Sequence, residues 1–195
     1  MDKHLTLKHH IQLKCRTAMW NLQRIKLVRD ILTKDACETL VLGTVMAHLD
    51  YANALYIGLP KCDIMKFQRI QNIAAKLVLR SKDNSISCLK KLHWLPVNLR
   101  IKHKVMTLLY KALNGESPGY LRDLVVLQTT HRPGLRSEDK HQRLAVPITR
   151  RKTFASRAFS VAAPQWWNEL PNSVKMSPNA DTFKKRLKTY LFDQF

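Results

Sequence analysis

The stretch Leu89-Lys90-Lys91-Leu92-His93-Trp94-Leu95-Pro96-Val97-Asn98-Leu99-Arg100 joins two amphipathic helical patterns. Pro96 fixes its own φ and pushes Leu95 out of the α region, so the two patterns cannot be one helix. A reversal at Trp94-Leu95-Pro96 is expected, with the two flanking helices packed against each other.

Before the turn, a helix is predicted from about Asp63 to Arg80, burying Ile64, Phe67, Ile70, Ala74, Leu77 and Val78. Burial of each large apolar side chain contributes about 1.5–3 kcal/mol, enough to anchor such a helix. After the turn, a helix from about Asn98 to Leu113 buries Ile101, Val105, Leu108, Leu109 and Ala112 and stops at Asn114-Gly115. Upstream, Ile11, Cys15, Ala18, Leu22 and Ile25 mark a helix within Thr6–Leu32, with Lys14, Arg16, Arg24, Lys26 and Arg29 on its other faces. Thr33 is a good N-cap, followed by Asp35, and the helix it opens fades near Asp50-Tyr51-Ala52-Asn53, before Gly58 and Pro60.

The composition shifts near residue 128. Residues 1–127 read as a helical bundle, 128–142 as a polar linker, and 143–195 as a smaller mixed segment. That segment holds a short edge strand at Leu144-Ala145-Val146-Pro147-Ile148 and short helices broken at Pro164 and Pro171. A last helix opens at Ser177-Pro178 and buries Phe183, Leu187, Tyr190 and Leu191. The fold class is mainly α.

Lys and Arg number 34 against 14 Asp and Glu, a formal net charge of +20. Such an excess is far beyond what solubility needs and points to a polyanionic partner. Between Lys61 and Lys111, twelve Lys or Arg face only Asp63 and Asp83. Lys66, Arg69, Lys76 and Arg80 share one face of the helix before the turn, and Arg100, Lys104 and Lys111 one face of the helix after it. If the helices pack antiparallel, these seven form a continuous phosphate-binding surface.

Catalytic chemistry is not expected. Neither a P-loop nor a dinucleotide fingerprint is present, and the adjacent carboxylates Glu138-Asp139 sit in the linker rather than on rigid elements. Cys88, His93 and His103 lack a fourth ligand and a metal-knuckle spacing, so neither a metal nor another cofactor is expected, and His93 reads as a hydrogen-bonded packing residue. Cys15, Cys37, Cys62 and Cys88 read as reduced, buried small hydrophobes. Trp166 and Trp167, with Phe154 and Phe159, read as core rather than as base-stacking groups. The segment Met1-Asp2-Lys3-His4-Leu5 has no signal-peptide core, and no apolar run reaches membrane-spanning length, so an intracellular location, nuclear or cytoplasmic, is expected.

Several ordered motifs carry a family resemblance. Leu49-Asp50-Tyr51-Ala52-Asn53-Ala54-Leu55 with Gly58-Leu59-Pro60, Phe67-Gln68-Arg69-Ile70-Gln71-Asn72-Ile73-Ala74-Ala75-Lys76-Leu77-Val78, Leu92-His93-Trp94-Leu95-Pro96-Val97 and Tyr110-Lys111-Ala112-Leu113-Asn114-Gly115 occur in that order. Arg157-Ala158-Phe159-Ser160-Val161-Ala162-Ala163-Pro164, Trp167-Asn168-Glu169-Leu170-Pro171 and Phe183-Lys184-Lys185-Arg186-Leu187-Lys188-Thr189-Tyr190-Leu191-Phe192 follow. Together they resemble the C-terminal, thumb and post-thumb region of LINE-type (non-LTR) retrotransposon reverse transcriptases of the jockey-like group. The resemblance implies a helical thumb that grips RNA or an RNA–DNA hybrid through its backbone. The palm's aromatic-x-Asp-Asp motif and the endonuclease of that family are not in this sequence. It therefore implies a non-catalytic chain, with a palm supplied in trans as a second kind of partner. Two rival expectations are a protein-interaction module docking on an acidic partner, and a relic reading frame without selected function.

Overall fold

A computed structural model describes residues 7–128, 143–149 and 155–195. They are mainly α-helical, as the periodicity predicts, and the chain divides into two compact units, Met1–Ile101 and Lys102–Phe195. Of the linker expected at 128–142, residues 129–142 lie outside the described residues, as does Phe154.

The first unit is built on α1 (Lys8–Leu27) and α4 (Lys61–Leu79), which pack together. Ile11, Ala18, Leu22 and Ile25 of α1 and Phe67, Ile70, Ala74 and Val78 of α4 are buried, so both predicted stripes face a core. Ile64 and Leu77 are only half-buried. Between these helices run α2 (Lys34–Leu40), a π-helical segment (Val41–Met46) and α3 (Ala47–Asp50). The Thr33 side chain accepts from Ala36 N, capping α2 as expected. The π segment contains Gly43 and two β-branched valines, weak helix formers. Asn21 of α1 donates to its Thr44 carbonyl.

The reversal at the hinge starts one residue before the predicted turn. α5 (Ser85–Lys91) ends with His93 in the left-handed region at φ 52°, where His93 N donates to the Lys90 carbonyl and Trp94 N to that of Leu89. His93 is exposed, which corrects its reading as a packing residue, because the left-handed step turns its side chain out of the reversal. Trp94, Leu95 and Val97 are buried, and Pro96 leads into α6 (Val97–Leu113). The division between the two units falls within α6.

In the second unit α7 (Gly119–Asp123), α8 (Phe159–Asn168), α9 (Asn172–Lys175) and α10 (Ala180–Asp193) follow. Its core stacks Tyr110 on Phe183 at 4.2 Å between ring centroids, with Trp167 6.0 Å from Phe183. Helix α8 runs through Pro164 instead of breaking there. Ala162, Ala163, Pro164 and Trp167 are all buried, and their burial outweighs one lost backbone hydrogen bond. Trp166 is only half-buried, with Lys102 Nζ 5.9 Å from the centre of its ring.

Two further expectations need correction. α10 is capped by Asn179, which accepts from Thr182 N; Ser177 instead turns its hydroxyl to the Val174 carbonyl. Tyr190 is half-buried rather than core. The expected strand at 144–148 is a single antiparallel bridge between Leu127 and Leu144, and no strand is formed among the described residues. The bridge is made by Gln128 N donating to the Arg143 carbonyl and Ala145 N to that of Val126, and Pro147 has no N–H to extend it. On the other edge the Asn168 side chain takes both the N–H and the carbonyl of Leu144. Of the cysteines, Cys37 and Cys88 are buried, Cys15 is half-buried, and Cys62 is exposed near the start of α4, contrary to expectation.

Candidate nucleic-acid interface

The seven basic residues singled out from the sequence divide between the two units. Lys66, Arg69, Lys76, Arg80 and Arg100 belong to the first; Lys104 and Lys111 belong to the second.

Within the first unit three of the five are engaged by the fold. Arg100 is turned onto Asp50: its Nε donates to Oδ1 at 2.9 Å, and a second guanidinium nitrogen reaches Oδ2. This bidentate pair ties the first turn of α6 to the end of α3. Arg80, left-handed at φ 48°, closes α4, donates to the Arg29 carbonyl at 2.8 Å and lies 3.5 Å from Asp30. Lys66 binds the buried carboxylate of Asp63 at 2.7 Å, and this hydrogen bond raises the lysine pKa. Arg69 remains exposed and Lys76 half-buried. They are seven residues apart and so share one side of α4, where the half-exposed Met65 and Ile73 interrupt the basic ridge.

In the second unit Lys104 is exposed and Lys111 half-buried. Their neighbours are on α10: His103 Nε2 bonds the Lys184 carbonyl at 3.2 Å, and Lys111 and Lys185 both hold the Asp181 carboxyl below its ordinary pKa, after the dominant hydrogen bond from Lys184. Lys185, Arg186 and Lys188 of α10 are exposed. The basic side of α6 in this unit is thus extended by α10.

Four polar side chains that hold the fold together escape the sequence reading. Arg29, 7% exposed, donates to the carbonyls of Leu77 and Val78 at the end of α4 and to that of Leu32, each at 2.8 Å. It had been placed on a polar face. Gln71, fully buried, donates to the Leu95 carbonyl at 2.9 Å, and Gln68 accepts from Val97 N at 2.9 Å, capping α6 from α4. Asp50 holds Arg100. A signal existed for two of them: Arg29 continues the Leu22, Ile25 stripe, and Gln71 falls on the Phe67, Ile70, Ala74 stripe. A polar residue at a core position is a candidate for a buried hydrogen bond.

Trp94, 5% exposed, donates its indole N–H to Glu38 at 3.2 Å. Cys88 is buried and His93 exposed in the first unit, while His103 is engaged with α10 in the second. Among the described residues no three His, Cys, Asp or Glu side chains are grouped to hold a metal ion, and no helix is long and apolar enough to cross a membrane. Comparison with protein-family models, curated proteins and solved structures gave no match.

Proposed function

We propose that this chain is a non-catalytic nucleic-acid-binding region resembling the thumb and post-thumb of a LINE-type reverse transcriptase, acting inside the cell. It holds RNA or an RNA–DNA hybrid through backbone phosphates, with little sequence readout. The observation that supports it is that α1 and α6 carry no acid and α4 only the buried Asp63. α1 carries Lys8, Lys14, Arg16, Arg24 and Lys26 and no acid, and Arg69, Lys104, Lys185 and Lys188 are exposed beyond the cations that the fold engages. A surface charged only for solubility mixes both signs.

Binding of a 20-base-pair RNA–DNA hybrid, measured by anisotropy across a salt series, tests this reading. For six to eight phosphate contacts the slope of log affinity against log salt should be about −4 to −7. A slope near zero, or no binding at low salt, rules it out. Template-dependent extension by the purified chain is expected to be nil.

A further inference from the structure

Helix α1 carries a second apolar stripe that its core does not use. Leu13, Trp20 and Leu27 recur every seven residues and are 53%, 55% and 85% exposed. The helical period sets them in line, on the side opposite Ile11, Ala18, Leu22 and Ile25. Spread over fourteen residues, they span about 21 Å, the length of one ordinary helix. Arg16 and Arg24 border the stripe, with the Arg24 guanidinium 4.7 Å from the centre of the Trp20 ring. Exposed apolar side chains are common on this chain, but these three line up on one helix face between charged borders, and apolar surface rimmed by charge marks a contact site.

We propose that this face of α1 is a docking surface for an amphipathic helix of a partner protein, whose apolar side chains cover Leu13, Trp20 and Leu27 and whose Glu or Asp side chains meet Arg16 and Arg24. Charge decides the occupant. A second copy of α1 would set arginines against arginines, since the helix has no carboxylate of its own. A nucleic-acid strand would stack on Trp20 but find no π-face at Leu13 or Leu27. The seven-residue spacing supplies one of the two apolar positions per heptad through which one helix seats on another. The inference shares Arg16 and Arg24 with the basic surface of α1 but does not depend on phosphate binding by α4, α6 or α10.

The test uses the full chain and three fluorescein-labelled 21-residue peptides: a helical peptide with a leucine stripe flanked by glutamates, a scrambled peptide of the same composition, and the stripe peptide with lysine in place of each glutamate. The acidic stripe peptide should bind at least tenfold tighter than the scrambled one. Leu13→Ser with Leu27→Ser should abolish that difference while leaving RNA–DNA hybrid binding unchanged, and Arg16→Glu with Arg24→Glu should shift the preference to the lysine peptide. Circular dichroism verifies folding, and Trp20→Ala provides an independent loss should the serine pair unfold. Equal binding of the stripe and scrambled peptides overturns the proposal. So does self-association abolished by the serine pair, or an oligo(U) 12-mer whose binding is lost in Trp20→Ala.

Discussion

At the C-terminal end of α4, the buried Arg29 points its donors at the carbonyls of Leu77 and Val78, whereas along the outer side of the same helix Arg69 is exposed to water. The residue type is the same and so is the charge; the neighbours differ. At the helix end, carbonyls without intrahelical partners need donors, and a planar guanidinium satisfies several at once while complementing the negative end of the helix dipole. On the outer face water already solvates the backbone's surroundings, and a cation there is available to a ligand. A basic residue in this chain is therefore architectural or available for binding according to whether it reaches an uncapped carbonyl or a buried carboxylate.

The sharpest way to break this division is Arg29→Ala. It removes the side-chain donor from the buried Val78 carbonyl and from that of Leu77, which keeps only a 3.4 Å bond from Arg80 N. The first unit should be destabilised by about 2–3 kcal/mol, measured by urea denaturation. Arg29→Lys should recover little, because one ammonium cannot replace the fork. Salt dependence of hybrid binding by the folded fraction should be unchanged. A milder break comes from Gln71→Leu, which removes the donor to Leu95 at the hinge and should cost about 1–2 kcal/mol, with faster amide exchange confined to the hinge.

Much of the helical frame was legible in the sequence because apolar spacing has a period and caps have a chemistry: Thr33, Gly115 and the stripes of α1, α4 and α6 follow from local rules. The hinge was legible as a break, yet its cause was placed at Pro96, while the chain reverses at His93 in a left-handed conformation that no local preference of histidine predicts so strongly. The candidate binding surface was less legible. Arg80 and Arg100 have acids nearby only after folding, and Asp50 is fifty residues from Arg100, whereas the Lys66 partner Asp63 lies one helical turn away in sequence. Charge counting cannot see such distant pairs. The overlooked Arg29 and Gln71 were visible in principle, as polar residues in register with apolar stripes.

Unlike the exposed cations, two thiols and two phenols are shielded from water by burial. Burial pushes the Cys15 thiol up to about 11 and the Tyr56 hydroxyl up to about 12, and raises Cys37 and Tyr110 as well. In each case the folded chain holds its proton more tightly than the unfolded chain. Stability is then complete below the unfolded values of 9.0 for Cys and 10.0 for Tyr, and declines as pH rises through the folded values. Thermal unfolding followed from pH 8 to 11 should show Tm falling above pH 9, with a shallower decline between pH 9 and 11 in Cys15→Ala. A flat profile would mean that these groups are as accessible folded as unfolded.

The smallest effect on stability, and the most specific to binding, is expected at the outer face of α4. Arg69→Ala with Lys76→Ala removes two cations that close no helix end and are paired with no buried carboxylate, so stability should move by no more than about 0.5 kcal/mol. If both touch phosphates, the salt slope for the hybrid should become shallower by about 1.5. Lys66→Gln supplies the opposite case on the same helix: it strands the buried Asp63 carboxylate and should lower stability while leaving the slope intact. Should Lys66→Gln change the slope and the Arg69, Lys76 pair leave it untouched, the cations held by the fold would be the ones that meet phosphate, and the division drawn along α4 would be reversed.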